Sequence, residues 1–297
     1  KAKTKTHLAN LTYENRNDIA LTKVYTNYSN FKREYTDASR DEYKGVIREY
    51  GVNTSIDYLN SSNLTIGADY KKFENKANID KEYNNKGIFI SNTNKFFDDK
   101  TIFTQALRYD KYSDFENKTT GKIGIKQYII DDLNISSNYG TGYNIPNTFQ
   151  LYDATNGNQD LSPEKTKSYD VGIEYKGFSI TYFNTKVNNL IQWVGGKYEN
   201  TEGDSKFKGT EIAYKNEVIE DLLLNLSYTN LSAKNKDGQE LGRRPKDKLG
   251  FGVDYYGLKD FHFNVNGEYI GTRYDKVNKQ GASTGNYTIW NAVVDYD

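Results

Sequence analysis

The chain has 297 residues with 40 basic and 40 acidic side chains, so it carries no net charge and no general electrostatic case for nucleic-acid binding. It has no cysteine, which excludes disulfides, thiolate metal sites and cysteine nucleophiles, and its two histidines, His7 and His262, leave little for a histidine-based metal site or relay. Only 36% of residues are apolar, yet there are 27 Tyr, 14 Phe and 2 Trp, and these alternate with polar residues instead of scattering as in a disordered chain.

Period-2 patterning runs through the whole length. Side chains along a strand point to opposite faces, so each such segment has one oily and one wet side. Fifteen strands are expected, near 4–13, 18–30, 43–58, 63–72, 86–94, 100–110, 119–129, 132–141, 165–176, 178–187, 205–215, 221–231, 245–256, 260–271 and 286–297. In the fourth, Leu64, Ile66, Ala68 and Tyr70 oppose Thr65, Gly67, Asp69 and Lys71. In the ninth, Tyr169, Val171, Ile173 and Tyr175 oppose Asp170, Gly172, Glu174 and Lys176. Leu249, Phe251, Val253 and Tyr255 repeat the pattern against Lys248, Gly250, Gly252 and Asp254. Phe261, Phe263, Val265 and Tyr269 do so against His262, Asn264, Asn266 and Glu268. No segment with helical period and caps competes. The three prolines, Pro146, Pro163 and Pro245, fall in loops or at a strand start, where a missing N–H does little harm.

The connections alternate short and long. Short ones lie near 14–17, 60–62, 95–99, 130–131, 177, 216–220 and 257–259. Long polar ones lie near 31–42, 73–85, 111–118, 142–164, 188–204, 232–244 and 272–285. A soluble sandwich has no need of that asymmetry, and its strands usually run about 5–6 residues. Long antiparallel strands with tight turns at one end, large loops at the other and an apolar outer band describe a transmembrane β-barrel. The many tyrosines suit its interfacial girdles. No apolar run is long enough for a membrane helix, which needs about 20 residues. The absence of methionine and of an opening signal peptide suggests a processed or excised piece of a longer protein.

Three segments carry a resemblance. The first is Tyr139-Gly140-Thr141-Gly142-Tyr143-Asn144-Ile145-Pro146-Asn147, then Leu151-Tyr152, then Gly157-Asn158-Gln159-Asp160-Leu161-Ser162-Pro163-Glu164-Lys165-Thr166-Lys167-Ser168-Tyr169. The second runs through Tyr182-Phe183-Asn184, Asn189-Leu190-Ile191, Tyr198-Glu199-Asn200 and Lys208-Gly209-Thr210-Glu211. The third is Arg243-Arg244-Pro245-Lys246, Tyr269-Ile270-Gly271-Thr272-Arg273-Tyr274-Asp275 and Tyr287-Thr288-Ile289-Trp290. Together they resemble the barrel portion of TonB-dependent outer-membrane receptors, over residues 139–297 by motif and over the first 138 by strand order. The third segment looks most like the cobalamin receptor branch, and catecholate-siderophore and haem receptors share much of it.

That resemblance implies an all-β, antiparallel transmembrane barrel of 22 strands with an N-terminal plug. Plug, energy-coupling box and terminal aromatic strand have no counterpart in this sequence. The expectation is therefore an internal barrel fragment over 1–297, open at both edges, with about five strands before it and two after. It also implies a monomeric active transporter of the bacterial outer membrane, surrounded by lipid and lipopolysaccharide. Such a receptor is not an enzyme: it imports a scarce metal chelate with energy delivered through TonB. Cobalamin is the first expectation and a ferric siderophore or haem the second; a passive porin or surface adhesin is the reading from another class.

Ligand capture is expected on the long loops. Tyr143, Phe149 and Tyr152 in 142–164, and Trp193 and Tyr198 in 188–204, offer flat contact area at low entropic cost, against the alternative of loops packing on themselves. Arg243, Arg244 and Arg273 near loop ends suit bidentate pairing with an anionic substrate or lipopolysaccharide phosphates, although interfacial snorkelling is the commoner role. Asp37, Asp41 and Glu42, beside Arg40, are three carboxylates over six residues that suit a loop calcium of the kind some cobalamin receptors use. They lack D-x-D spacing, so a solvated charge run is the favoured reading. Asp170, Glu174, Lys248, Asp254, Asn264, Asn266 and Glu268 should share the wet face, bonding to the plug and to water. No catalytic constellation is present.

Overall fold

The structure, a computed structural model, describes residues 2–35, 42–59, 61–76 and 79–296. The strands are β1 (Ala2–Arg16), β2 (Ala20–Tyr35), β3 (Glu42–Tyr58), β4 (Ser62–Asn75), β5 (Lys81–Phe96), β6 (Thr101–Tyr112), β7 (Lys118–Ile130), β8 (Leu133–Asn144), β9 (Glu164–Tyr175) and β10 (Phe178–Asn188). They continue with β11 (Ile191–Val194), β12 (Lys197–Asn200), β13 (Asp204–Ile219), β14 (Leu222–Lys234), β15 (Asp247–Leu258), β16 (Phe261–Ile270), β17 (Arg273–Tyr274), β18 (Ser283–Thr284) and β19 (Tyr287–Tyr296). One helix, α1 (Thr148–Tyr152), and a 3-10 turn at Val277–Lys279 complete the set. Fifteen strands form one sheet in the order β1 to β10, then β13 to β16, then β19. Two small hairpins, β11–β12 and β17–β18, sit within long connections.

Each of the fifteen expected strands is present. The hairpins, the helix and the 3-10 turn were hidden inside stretches expected to be plain loop. Several strands run further into the polar loops than hydropathy suggests. β4 and β5 continue to Asn75 and from Lys81. Phe73 stacks on its cross-strand partner Tyr83 at 4.6 Å, and Lys72 bridges Glu74 and Glu82, so side-chain pairs hold the ladder there.

Several of the tight connections are built from left-handed residues. Lys176 and Gly177 have φ of 47° and 78°, the primed turn that matches strand twist. A Cβ on Gly177 would stand 2.2 Å from the Lys215 carbonyl, so the turn needs glycine twice over. Phe97, Asp98 and Asp99 turn β5 into β6 the same way, with Lys95 reaching back to Asp99. That ammonium holds the Asp99 carboxyl below its usual range, mainly through their hydrogen bond.

Contacts gather the chain into two compact units, described separately. The first comprises Lys1–Gly124, Gly140–Lys165 and Asn189–Thr201; the second comprises Ile125–Tyr139, Thr166–Asn188 and Glu202–Asp297. In the first unit, Tyr50, Val52, Ile66, Ile88, Ile90, Leu107 and Tyr109 form one exposed apolar face. The opposite face carries Asp69, Arg108 and Asp110. Arg108 clamps Asp69 bidentately at 2.6 and 2.9 Å and donates to Asp110 through Nε and Nη2. Asn85 completes the group with a 3.0 Å bond to Asp110. Gly87 lies between Asp69 and Asp110 in the ladder, and a Cβ there would fall 2.0 Å from the Arg108 Nη2. The missing side chain is what lets the guanidinium lie across the strand between two buried carboxylates.

In the second unit the same alternation holds. Tyr169, Val171, Ile173 and Tyr175 are 43–47% exposed, whereas Gly172 between them is buried. The residues expected on the wet face do occupy it, and they bond to neighbouring side chains, mostly across strands. Asn138 donates to Asp170, Asn134 to Glu174, Lys248 pairs with Glu268, and Asp254 accepts from Asn264, which in turn accepts from Asn266.

Among the described residues, the buried apolar side chains are Val46, Leu151, Leu161, Val187, Ala233 and Leu241. None belongs to the alternating Tyr, Leu, Ile and Val rows. Those rows are left facing outward, where water alone would not tolerate so large a contiguous patch.

Candidate functional site

The aromatic loop residues expected to bind ligand, Tyr143, Phe149, Tyr152, Trp193 and Tyr198, all fall in the first unit. Phe149 stands on α1, which Asn147 and Gln150 close with a reciprocal capping box at 2.9 Å each. Trp193 and Tyr198 face each other across the β11–β12 hairpin. Phe149 meets Tyr198 at 6.1 Å, and Tyr198 meets Trp193 edge-on at 5.0 Å. Tyr43, at the loop end of β3, extends the row to Phe149 at 5.4 Å. Trp193 is 45% exposed, so the row is open at that end, whereas Tyr43, Phe149 and Tyr198 are half-buried.

The family-like motif explains why helix and hairpin meet. Leu151 and Leu161 are 5% and 6% exposed and anchor the 142–164 loop from beneath. Asn158 donates to the Tyr198 carbonyl at 2.9 Å, and Tyr198 N–H donates to the Asn156 carbonyl. Asn200 accepts from Ser162 N–H and donates to the Ser162 and Asn189 carbonyls. Glu164 accepts from Ile191 N–H at 2.7 Å and from Asn144. Gly157 admits the close turn, since a Cβ there would lie 2.5 Å from the Asp153 carbonyl. The motif residues therefore fix loop geometry, and the aromatics ride on it.

Tyr143 belongs to a second group. It lies 5.8 Å from Tyr112, and Phe115 bridges Tyr112 and Tyr83 at 6.2 and 5.9 Å, with Phe73 stacked beyond. Tyr143 also donates to the Glu116 carbonyl, and Lys118 lies over its ring. Tyr152 is apart from both groups, with the Lys81 ammonium 5.2 Å from its ring centre. Tyr43 opens the expected strand 43–58, where an aromatic reads as a strand former, and Phe73, Tyr83, Tyr112 and Phe115 fall in the expected long connections 73–85 and 111–118, where none was singled out. Phe73 and Tyr83 are direct cross-strand partners, a pairing that only the register reveals.

The arginines lie in the second unit. Arg243 pairs with Asp275 at 3.4 Å, and Arg273 lies over the Tyr287 ring at 5.7 Å. Arg244 donates to the Gly242 carbonyl. Nearby, Lys236 and Glu202 join two loops at 2.7 Å; each stabilises the other's charge, so the Glu202 carboxyl titrates below its ordinary value and the Lys236 ammonium above. The loop carboxylates considered for calcium, Asp37 and Asp41, lie with Arg40 outside the described residues. Glu42, the first residue of β3, instead pairs with Lys32 at 3.2 Å.

The whole chain, residues 1–297, matches the sequence profile of the family described as TonB dependent receptor-like, beta-barrel. Among solved structures, a variant of the ferric enterobactin receptor of Pseudomonas aeruginosa superposes with a TM-score of 0.82 at 15% identity, covering 100% of this chain and 54% of that one. The siderophore receptor PirA of Acinetobacter baumannii gives 0.78 at 16%, covering 99% and 56%. The ferric-catecholate import receptor Fiu of E. coli K12 gives 0.76 at 16%, covering 100% and 58%. At such identities the likeness is one of fold. The chain spans little more than half the length of each.

Proposed function

Since this chain belongs to the TonB dependent receptor-like β-barrel family, we propose that it supplies part of the wall and outer loops of an outer-membrane transporter that imports a ferric siderophore. In this reading the alternating strands cross the bilayer, with the Tyr, Ile, Leu and Val rows toward lipid and the Asp69–Arg108–Asp110 face inward. The long loops project outward and capture the chelate. Energy arrives through TonB, engaging a plug outside this sequence. The barrel provides a rigid frame and a selective mouth, and no bond is made or broken in the cargo by these residues.

The observation that carries the choice of cargo is the aromatic row Tyr43, Phe149, Tyr198 and Trp193. Catecholate ligands are flat, aromatic and anionic, and such rings gain contact area and offset stacking against the exposed Trp193 face and the half-buried Tyr and Phe rings beside it. The names of the solved relatives of this fold, receptors for ferric enterobactin, siderophores and ferric catecholates, lean the same way. Cobalamin, the first expectation from the third sequence segment, therefore gives place to a ferric siderophore.

The chain has two tryptophans, and Trp193 sits at the end of the row. Titrating the full-length receptor with ferric enterobactin should quench its fluorescence, and Trp193→Phe should diminish that quenching. Removing the Trp193 ring with Trp193→Ala should weaken binding by about 1–2 kcal/mol, roughly tenfold. Saturable binding of cobalamin with none of the ferric catecholate would overturn the assignment.

A further inference from the structure

In the second unit, a cavity of about 400 Å³ is lined by Arg244, Lys246, Arg273, Lys276 and Lys279, with Glu240 and Asp247 as the acidic members. Five cations against two carboxylates leave a net charge of +3 on its wall. Much of the negative charge is already engaged. Asp247 accepts from Tyr228 at 2.7 Å and Asn230 at 2.8 Å, and Glu240 lies 3.6 Å from Lys279. Nearby Asp275 is taken by Arg243. Among the described residues, Lys246 and Lys276 join no ion pair within 4.0 Å, Arg273 has only an aromatic face, and Arg244 only a backbone carbonyl.

Two loops are locked together to make this wall. Arg243 N–H donates to the Tyr274 carbonyl at 2.6 Å, and Asn278 N–H to the Glu240 carbonyl at 2.7 Å. Gly242 permits the approach, since a Cβ there would lie 2.6 Å from the Asp275 carbonyl. The cations therefore share a wall fixed by the backbone, and the positive charge that Glu240 and Asp247 leave unbalanced favours a bound anion.

The geometry points to a second binding site, separate from the aromatic row, for a ligand bearing two or more phosphate groups. One phosphomonoester carries about −1.5 to −2 at neutral pH, so two offset a wall of this charge. Guanidinium forks from Arg244 and Arg273 match phosphate oxygens bidentately, and the lysines add point charges. The volume greatly exceeds the ~30 Å³ of a single water, which favours a multi-group ligand over a lone ion. The chemistry is shared by a bisphosphorylated lipid headgroup and a soluble polyphosphate. The site stands whichever chelate the receptor imports.

The test uses the full-length receptor in detergent, titrated calorimetrically with sodium tripolyphosphate and, separately, with bisphosphorylated lipid A. The double variant Lys246→Gln/Lys276→Gln lowers the wall charge from +3 to +1 and should weaken whichever probe binds by about tenfold or more. Lys236→Gln removes a cation of the same unit that is absent from the cavity and should leave both titrations unchanged. Lipid A bound at least about tenfold more tightly than tripolyphosphate assigns the site to a lipid headgroup; the reverse order assigns it to a soluble polyphosphate. Circular dichroism confirms that the variant keeps its strand content. The inference is overturned if neither probe binds the parent protein, or if the double variant binds as tightly as Lys236→Gln.

Discussion

Arg108 shows how a single missing side chain organises a face of the sheet. Its guanidinium lies across Gly87 and is shared by Asp69 and Asp110, each 8% exposed. Arg108→Met would leave two buried carboxylates without their cation, at a cost of about 3 kcal/mol. Gly87→Ala should displace the same guanidinium and reproduce part of that loss. Replacing all three charged groups by apolar residues should recover most of it, and denaturant unfolding of the four proteins reads the comparison. Gly209 offers a sharper contrast. A Cβ there would stand 2.1 Å from the Asn230 carbonyl and 2.8 Å from the Phe183 ring, whereas one on Gly45 meets nothing within 4 Å. Gly209→Ala should therefore destabilise by about 1–3 kcal/mol, and Gly45→Ala should stay within about 0.5 kcal/mol of the parent.

At the level of elements, the fifteen strands were legible because an alternating row such as Tyr169, Val171, Ile173 and Tyr175 repeats a two-residue signal over its whole length. The hairpin Ile191–Asn200 and the helix Thr148–Tyr152 were not. Each is too short to show a period, and each is held by contacts from elsewhere in the sequence. The aromatic loop residues could be named from sequence, but their partition could not. Nothing local tells that Tyr143 joins Tyr112 and Phe115 while Phe149 joins Tyr198. Asn200 makes three bonds that bind the hairpin to the 142–164 loop. Asn200→Ala should leave the main sheet intact, speed amide exchange through Ile191–Asn200, and lower ferric-siderophore affinity about tenfold by loosening the row. The Glu202–Lys236 clasp carries its own signature. Because the Glu202 carboxyl is held below its ordinary 4.5, its contribution is fully present above that value and is lost as pH falls through the lower folded value. Exchange of the amides at 235–238 should accordingly rise only in acid more extreme than pH 4.5, and Lys236→Gln should abolish that pH dependence.

For the molecule as a whole, the same few forces recur in every strand. Many wet-face groups bond across strands, and among the described residues the opposite rows stay exposed. A bilayer would supply the missing apolar partner, with backbone groups satisfied between strands, as lipid demands. With any cysteine outside these 297 residues replaced, single spin labels can be placed at Val171, Ile173, Val253 and Val265 on one row, and at Asp170, Glu174, Asp254 and Asn264 on the other. With the full-length receptor reconstituted in lipid, the first set should relax with dissolved oxygen and the second should be shielded from it. Uniform access of a water-soluble nickel chelate to the first set would contradict the account.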